Sequence, residues 1–496
     1  MIDILAKIAE YHEKEYLCRE NLYAMERLTA FVWEHIGDDT TRLIMNKAKW
    51  PEIDMDMAVN CIESRRKLKG KVQEWCDEPG LVFPRKLSAE QCSSSATGIY
   101  KSELAAKIAS SEHAGKTDKG FRLADLTGGL GVDSWFFSKK AGQVLYCEML
   151  PELCKAALHN YAVLKAENIT VMNAAVVSET QIDQQEKTSQ ELSVPTKDQG
   201  MNPDSVSVFK TPSQILSDFQ PDIVYMDPAR RGEGGKKVFL IEDCTPDVLT
   251  LKDEIFQHTR HILLKLSPMA DITMACERLG RCCREVHVVA AGGECKELLV
   301  WMDREWNQEY TIHAVELHKD GEAGVLVFSV AKEKAAMAKP FSREIYEEIV
   351  RLEEGVYLFE PGKALMKAGA FSLISERFGI SKLGSSTHYY IFSEADDSTS
   401  QEGSTQSKAK VLKQHGKVFR IIRMEPLDKR TMKAAGKEFP KAEVTARNIP
   451  MDTDTLRKKL GVTSGDDAHI FGLKSDSAGN LLIITKIQGQ ALNGMK

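Results

Sequence analysis

The chain has 496 residues, enough for two to four domains of ordinary size. Hydrophobic residues make up 43% and charged residues 28%, a balance that excludes collagen-like and wholly disordered chains. The net charge of −6 is uneven, because residues 407–496 hold 18 Lys and Arg against 9 Asp and Glu; this end carries +9 and residues 1–406 carry −15. A basic end on an acidic body favours a polyanionic partner, although a solvated charged surface explains it equally well.

Targeting, membrane and metal signals are weak throughout the sequence. No run approaches the ~20 apolar residues of a membrane span, and the first residues show neither a basic region nor an uninterrupted apolar region. We therefore expect a cytoplasmic protein with no membrane partner. The eleven cysteines are scattered and form no CxxC pair, so we predict no disulfide framework and no metal site.

The N-terminal part, residues 1–90, has apolar residues at helical spacing. Residues 58–75 form the third amphipathic stretch and carry five basic residues close together. Such a cluster contacts phosphates in some proteins, but a solvated helix face is the more common explanation. The five residues are Arg65, Arg66, Lys67, Lys69 and Lys71.

From residue 123 onwards, short apolar runs alternate with helical stretches, the pattern of βαβ units and a mostly parallel sheet. Two later runs, REVHVVAAGG and ELLVWMD, are separated by a short glycine turn and predict a hairpin. A polar insertion at about residues 178–204 lacks periodicity and predicts a mobile loop. Residues 341–392 read as mainly helical with a final strand, and a polar linker then leads to a separate basic α/β segment.

The strongest motif is DLTGGLGVD, which begins at Asp125, directly after an apolar run and before a helical stretch. Glycines there let the backbone turn sharply and approach a ligand at the point where open α/β sheets bind cofactors. Glu148 ends the next apolar run, where a carboxylate can accept hydrogen bonds from ribose hydroxyls. The pattern predicts a nucleotide-type site formed by Asp125, Thr127, Gly128, Gly129, Gly131, Asp133 and Glu148.

The charge of this loop favours a cationic ligand. Asp125 and Asp133 flank it, and negative charge beside the pyrophosphate of a dinucleotide is unfavourable. S-adenosylmethionine (SAM) has a sulfonium and an ammonium group, which Asp125 is placed to face. The loop resembles motif I of the class I SAM-dependent methyltransferases, and this resemblance implies SAM as the cofactor. Asn173 then matches the position that commonly contacts adenine in that family; a simple turn residue is the open alternative.

The fourth run ends in Asp227-Pro228-Ala229-Arg230, which resembles the motif IV tetrapeptide of nucleic-acid methyltransferases. That tetrapeptide is usually Asp or Asn, two prolines and an aromatic residue, and it holds an amino nitrogen in line with the methyl group. The resemblance implies Asp227, Pro228 and Arg230 as catalytic residues. Ala229 and Arg230 depart from the pattern, so adenine N6 is not implied as the target, although a guanidinium can stack on a base or bind a phosphate.

An arginine at the fourth position also resembles the uracil-C5 methyltransferases, which need a cysteine nucleophile shortly after the fifth strand. The nearest cysteine after that strand is Cys276, which falls within a predicted helix. We therefore predict direct methyl transfer to a nitrogen or oxygen, without a covalent intermediate.

Two further segments, EQCSSSATGIYK at residues 90–101 and YLFEPGKALMKAGAF at residues 357–371, strengthen the resemblance. Together the motifs resemble a bacterial group of class I methyltransferases with ferredoxin-like and C-terminal THUMP-like domains. The resemblance implies an α/β protein with a Rossmann-like methyltransferase core, and RNA (rRNA or tRNA) as the partner. The predicted parts are an N-terminal helical domain (1–90), the methyltransferase domain (91–303), a ferredoxin-like connecting region (304–395), a flexible linker (396–410) and a basic THUMP-like domain (411–496).

Three functions stay open at this point. The chain is a SAM-dependent RNA methyltransferase, an inactive RNA-binding protein with a methyltransferase core, or a methyltransferase that acts on a protein or small molecule. Asp125, Glu148 and Asp227 are all present, which argues against decay of the site. Binding of SAM and of total bacterial RNA separates the first two functions from the third.

Overall fold

The structure is a computed structural model, and it describes residues 24–111, 120–182, 208–230, 241–351, 355–393 and 407–487. The chain divides into two compact units: residues 1–283 with 300–307, and residues 284–299 with 308–496. Within the described ranges, no helix is both long and apolar enough to cross a lipid bilayer.

The first unit begins with helices, as predicted for the described part of residues 1–90. Their inward faces are apolar, and Ile62, Leu68 and Trp75 are wholly buried. Trp75 meets the ring of Trp135 edge-on at a centroid distance of 5.9 Å, so these helices share one hydrophobic core with the segment after the glycine loop. The helices are α1 (residues 24–34), α2 (Thr40–Met45), α3 (Met55–Leu68), α4 (Gln73–Asp77), α5 (Lys86–Gln91) and α6 (Ser95–Ser110).

Arg65, in the basic cluster on α3, is buried with 1% of its surface exposed. Its guanidinium donates hydrogen bonds to four backbone carbonyl oxygens at 2.8–2.9 Å, which closes the turn that follows α4. Reading Arg65 as part of a phosphate-binding or solvated face is therefore wrong, because its two terminal nitrogens satisfy backbone acceptors inside the fold. The four carbonyl groups belong to Cys76, Glu78, Pro79 and Leu81.

A nine-stranded sheet has the strand order β13-β12-β10-β11-β9-β6-β1-β2-β3. Its strands up to β9 belong to the first unit, β12, β13 and nearly all of β10 belong to the second, and β11 is divided between the two. The strands are β1 (Arg122–Asp125), β2 (Gln143–Glu148), β3 (Ile169–Asn173), β4 (Ala175–Val176), β5 (Phe209–Lys210), β6 (Ile223–Met226), β7 (Ala229–Arg230), β8 (Cys244–Thr245), β9 (His261–Leu266), β10 (Cys283–Ala291), β11 (Glu294–Asp303), β12 (Thr311–Leu317) and β13 (Ala323–Ser329); β4 pairs with β5 and β7 with β8 in two small sheets. The intervening helices are α7 (Val132–Ser138), α8 (Pro151–Val163), α9 (Pro212–Leu216), α10 (Val248–His258) and α11 (Ile272–Leu279).

The five strands β3, β2, β1, β6 and β9 pair in parallel, which confirms the predicted parallel sheet. Strand β1 lies at the centre, where Ala124 pairs with Leu145 on one side and Val224 on the other. Every residue of β6 is buried, as expected for a parallel strand covered on both faces. Strands β10 and β11 are neighbours separated by two glycines, so the predicted hairpin is confirmed.

The second unit contains a seven-stranded sheet with strand order β15-β16-β14-β17-β20-β19-β18. Its strands are β14 (Val356–Pro361), β15 (Ser381–Lys382), β16 (Tyr390–Ser393), β17 (Gly416–Pro426), β18 (Lys441–Arg447), β19 (Thr463–Ser475) and β20 (Gly479–Ile487). Its helices are α12 (Val330–Ala335), α13 (Arg343–Arg351), α14 (Lys363–Ala368), α15 (Phe371–Phe378), α16 (Lys408–Lys413), α17 (Lys429–Glu438) and α18 (Thr453–Leu460).

The basic C-terminal segment is not a separate body. Residues 416–420 of β17 pair with β14, for example through Leu358 and Phe419, so residues on both sides of the predicted linker build one sheet. The prediction of a separate C-terminal segment behind a flexible linker is therefore wrong. Pairing between strands that are distant in the chain leaves no local signal in the sequence, so the sequence could not predict it. Residues 396–406 of the predicted linker (396–410) lie outside the described residues, and residues 408–410 begin helix α16. Of the predicted insertion, residues 183–204 lie outside the described residues.

Candidate functional site

The glycine-rich loop joins β1 to α7, and two tyrosines determine its shape. A Cβ atom at Gly128 would overlap the ring of Tyr146, and one at Gly131 would overlap the hydroxyl group of Tyr161. Gly131 also has a φ angle of 93°, which side-chain-bearing residues rarely adopt. The hydroxyl groups of Tyr146 and Tyr161 donate to the carbonyl oxygens of Gly129 and Gly131, at 2.7 and 3.0 Å. Two of the glycines are therefore required by contacts within the protein.

Gly129 differs from these two glycines. A Cβ atom there would meet nothing closer than the carbonyl oxygen of Thr127 at 3.8 Å, and its φ angle is 55°. The backbone at Gly129 therefore has open space beside it, where a ligand can approach closely.

Asp125 ends β1 and is buried, with 1% of its surface exposed. Its carboxylate accepts hydrogen bonds from the hydroxyl group of Ser134 at 2.6 Å and from the backbone N–H of Thr127 at 3.0 Å. Burial raises the pKa of Asp125 to about 7, although these hydrogen bonds act in the opposite direction. In the structure this carboxylate ties the loop to α7, and its contact with a cationic cofactor stays a prediction.

Asp133, in the first turn of α7, forms a buried ion pair with Lys101 of α6. Their charged atoms are 3.2 Å apart, and the side chain of Lys101 is wholly buried. Asp133 also accepts hydrogen bonds from the hydroxyl groups of Ser93 and Tyr225, at 2.9 and 2.8 Å. Burial alone would raise the pKa of Asp133, but the charges of Lys101 and Lys265 and the two hydroxyl donors hold it below its usual value. The structure thus gives Asp133 partners within the protein, and its cofactor contact stays a prediction.

Glu148, at the end of β2, reaches the glycine loop. Its carboxylate accepts hydrogen bonds from the backbone N–H groups of Gly129 at 2.8 Å and Leu150 at 2.9 Å, and 8% of the residue is exposed. Burial raises the pKa of Glu148, with the backbone donors acting against this shift. A carboxylate has about four acceptor positions, so Glu148 can also accept a hydrogen bond from a hydroxyl group of a ligand.

Asn173 ends β3, which is paired with β2 so that Asn173 lies beside Glu148. Its side-chain nitrogen donates to the carbonyl oxygens of Glu148 and Met149, at 2.9 and 3.1 Å. These bonds orient the amide, and its oxygen is the atom that a ligand can use. In the structure Asn173 is therefore a strand residue whose amide contacts the backbone that follows β2, and its role toward adenine stays a prediction.

Asp227 follows β6, and two neighbouring strand ends hold it. Its backbone N–H donates to the hydroxyl group of Thr127 at 2.6 Å, and Lys265 of β9 donates to its carboxylate at 2.6 Å. The side chain of Asp227 is 36% exposed, whereas Pro228 beside it is buried. One carboxylate oxygen is thus fixed by a lysine, and the group is accessible to a substrate.

Ala229 and Arg230, the last two residues of this motif, form the short strand β7. Arg230 lies in β7, which pairs antiparallel with β8, opposite Cys244. Residues 231–240 lie outside the described ranges. Cys276 is buried on α11, which confirms its predicted helical position, well after the end of β9.

Four residues at this site were missed by reasoning from the sequence: Ser93, Lys101, Tyr225 and Lys265. Lys265 has a recognisable signal, because it is the charged residue of the otherwise apolar run HILLKL, and lysine is rarely buried without a partner. Lys101 lies in the helical segment before β1 and gives no comparable signal. Its role depends on α6 packing against α7, a contact between elements about 30 residues apart.

Two family profiles match the second unit of the chain. One is described as a ferredoxin-like domain and covers residues 357–398, and the other is described as THUMP domain-like and covers residues 416–487. Both confirm modules that the sequence resemblance predicts. A comparison with curated protein sequences finds no match.

Among solved structures, the chain is similar to a presumed methyltransferase from Porphyromonas gingivalis W83, with 25% identity and a TM-score of 0.70 over 94% of this chain and 98% of that one. A match to precorrin-6y C5,15-methyltransferase from Geobacter metallireducens GS-15 has 15% identity and a TM-score of 0.22, over 42% of this chain and 88% of that one. The fold assignment depends on the first match and on the parallel sheet. The chain therefore has an α/β, Rossmann-like fold of the class I methyltransferase type, with ferredoxin-like and THUMP-like domains in its C-terminal half.

Proposed function

We propose that the protein is a SAM-dependent methyltransferase that transfers a methyl group directly to a nitrogen or oxygen of RNA. The observation that supports this best is the position of Asp227. Asp227 follows a central parallel strand, one strand away from the glycine-rich loop. Thr127 holds its backbone N–H, and Lys265 orients its partly exposed carboxylate. An inactive RNA-binding protein would not need this arrangement.

The residues at the ends of β1, β2 and β3 fit SAM. The space beside Gly129 can accommodate part of the cofactor, the Glu148 carboxylate can accept from the ribose hydroxyls, and the amide oxygen of Asn173 can accept from the adenine amino group. Asp125 lies next to the loop, and its ionised form would be favoured by a nearby sulfonium or ammonium group. When bound, SAM supplies an electrophilic methyl group.

Asp227 acts mainly by positioning. Its carboxylate is paired with Lys265, so one oxygen is occupied and the other can accept a hydrogen bond from the N–H or O–H group of the methyl acceptor. That bond aligns the acceptor lone pair and stabilises the positive charge that develops on it. Cys276 is buried on a helix after β9, which supports transfer without a thiol adduct.

Glu148→Ala should weaken SAM binding about 10- to 100-fold, since unmet ribose hydrogen bonds cost roughly 1–3 kcal/mol. Isothermal titration calorimetry measures the change. Glu152→Ala is the matched control, because Glu152 lies on α8, is 47% exposed and pairs with Arg85 at 3.6 Å. Equal SAM affinity in wild type and Glu148→Ala would remove Glu148 from the site.

RNA is the proposed substrate because of the exposed charge on the THUMP-like domain. Helix α17 buries Met432, Ala435 and Gly436, and its opposite face is basic. Helix α18 packs against α17 and exposes two more lysines. Cations on adjacent helices can neutralise successive phosphates, and this supplies most non-specific RNA affinity. The exposed residues are Lys429, Arg430, Lys433 and Lys437 on α17, and Lys458 and Lys459 on α18.

Replacing Lys433 and Lys437 with glutamate should weaken RNA binding and reduce its salt dependence by roughly 1–2 in log–log slope, about one for each lost phosphate contact. Filter binding of total bacterial RNA across a salt series measures the slope. The control replaces Lys332 and Lys334, exposed on α12, with glutamate and changes net charge equally. We choose substitutions because deleting the THUMP-like domain would remove β17 and disrupt the seven-stranded sheet. Equal slopes in the α17 variant and the wild type would exclude this face as the RNA contact.

The activity is tested by tritium transfer from labelled SAM into RNA from a strain that lacks the gene, followed by nucleoside analysis. We expect label in one modified nucleoside. If SAM binds but RNA acquires no label, a protein or small-molecule acceptor replaces RNA in the proposal. If SAM does not bind, the methyltransferase assignment fails.

A further inference from the structure

We propose that Glu285, His287 and His313 form a binding site for a divalent transition metal, with zinc as the best match. One ligand atom from each residue lies within 4.8 Å of the others, and this is the one such group of His, Cys, Asp and Glu among the described residues. All three residues belong to the second unit, and the inference does not depend on the methyltransferase proposal.

The strand register brings the three side chains together. Strands β10 and β12 are parallel neighbours, and His287 is paired directly with His313. Glu285 lies two residues before His287 on β10, so the alternation of side chains places all three on the same face of the sheet. The two imidazole rings stack with their centroids 4.3 Å apart.

The distances fit metal coordination. The Glu285 Oε2 atom is 3.1 Å from Nε2 of His287 and 3.3 Å from Nε2 of His313. In a tetrahedral zinc site with bonds of about 2.0–2.1 Å, neighbouring ligand atoms are about 3.3 Å apart. The two oxygen–nitrogen distances therefore match the ligand–ligand distances of such a site. Both imidazoles therefore direct the same type of nitrogen at one carboxylate oxygen.

The chemistry of the cluster favours zinc over magnesium or calcium. Two imidazole nitrogens and one carboxylate oxygen suit a transition metal of intermediate hardness such as zinc. Magnesium and calcium are hard cations and prefer oxygen ligands alone. Three protein ligands leave a fourth position for water. The hydroxyl group of Thr311 forms a hydrogen bond of 3.1 Å with Nε2 of His313, and a metal bound to this nitrogen would replace that bond.

Burial and access are consistent with a bound ion. His287 and His313 are 2% and 8% exposed, so the ligands are held rigidly within the sheet. Val327 of the neighbouring strand β13 is opposite His313 in register and is 41% exposed. Solvent therefore reaches the β13 edge of this face, which provides an access route for the ion.

The scattered cysteines predict no metal site in this chain. This cluster contains no cysteine, and two of its ligands are separated from the third by more than 20 residues and a complete strand. The competing arrangement is a hydrogen-bonded cluster in which both Nε2 atoms carry protons toward Glu285. A metal and these protons exclude one another, so the two arrangements give different results in a titration.

The test is titration of the chelator-treated full-length protein with Co²⁺, read by visible d–d absorption, and with Zn²⁺ in competition. We expect one equivalent to bind without the near-ultraviolet thiolate band that cysteine ligands would produce. Glu285→Gln and His313→Gln should each raise the Kd by at least about 100-fold, since each removes one of three ligands. His318→Gln, five residues beyond His313, is the matched control and should bind as wild type does.

Glu285→Gln conserves side-chain shape, and circular dichroism of each variant is the check that it is folded. Absence of saturable Co²⁺ binding in the wild type would overturn the proposal in favour of the hydrogen-bonded cluster. A thiolate band, or wild-type affinity in both folded variants, would place the ion elsewhere and would also overturn it.

Discussion

Replacing Asp227 with alanine should lower the rate of methyl transfer by about 10²-fold or more, while SAM affinity changes little. The reason is that Asp227 faces the methyl acceptor and not the cofactor in the proposed site. Its carboxylate is 36% exposed and held by Lys265, whereas the residues proposed for SAM lie at the ends of β1, β2 and β3. Single-turnover transfer of labelled methyl groups gives the rate, and calorimetry gives the SAM affinity.

Asp227→Asn separates positioning from proton abstraction. Asparagine retains an oxygen that can accept a hydrogen bond from the acceptor, but it has no basic carboxylate. If Asp227 positions the acceptor, Asp227→Asn should be more active than Asp227→Ala; if it is a general base, the two variants should be equally slow. Asp218→Ala, an exposed aspartate of the same unit, is the control for loss of one negative charge. Full activity in Asp227→Ala would exclude Asp227 as a catalytic residue.

The glycine loop illustrates how much of the site the sequence predicts. The apolar run, the glycines and the acid at the end of β2 predict a cofactor loop from local pattern alone. The reason for two of the glycines could not be predicted in this way, because Gly128 and Gly131 are required by Tyr146 and Tyr161, which come from β2 and α8. Local pattern therefore identifies the loop, and tertiary packing decides which glycine is open to a ligand.

Charged residues show more clearly that local sequence pattern does not predict contacts between distant segments. Arg65 belongs to a basic cluster in sequence, yet it is buried and binds four backbone carbonyl groups. The basic C-terminal segment reads as a tethered domain, yet β17 completes a sheet with β14. Hydrophobic periodicity predicts the helix that carries Arg65 because periodicity reflects local geometry, but it misses β14, which lies in a segment predicted as mainly helical. The partners of a buried cation or of a strand edge depend on contacts between distant segments.

The buried pair of Lys101 and Asp133 should contribute strongly to the stability of the first unit. We expect Asp133→Asn to lower the free energy of unfolding by about 3–5 kcal/mol, because it leaves the wholly buried ammonium group of Lys101 without its carboxylate. Asp253→Asn is the matched control, since Asp253 pairs with Lys252 at 2.7 Å but is 81% exposed. That exposed pair should contribute about 1 kcal/mol or less.

Tryptophan fluorescence during urea unfolding measures this effect in the relevant unit. All six tryptophans lie in the first unit, so the signal does not report on the second. They are Trp33, Trp50, Trp75, Trp135, Trp301 and Trp306.

A double variant distinguishes loss of the pair from loss of packing. Lys101→Met combined with Asp133→Asn removes both charges and retains most of the side-chain volume, so it should be more stable than either single variant. The pKa of Asp133 is held below its usual value, so the pair stabilises the fold above a pH of about 4 and loses this effect as the pH falls further. The difference between wild type and Asp133→Asn should therefore narrow below that pH. A difference that stays constant with pH, or a double variant as unstable as the sum of the two single variants, would mean that packing and not charge makes Asp133 important to the fold.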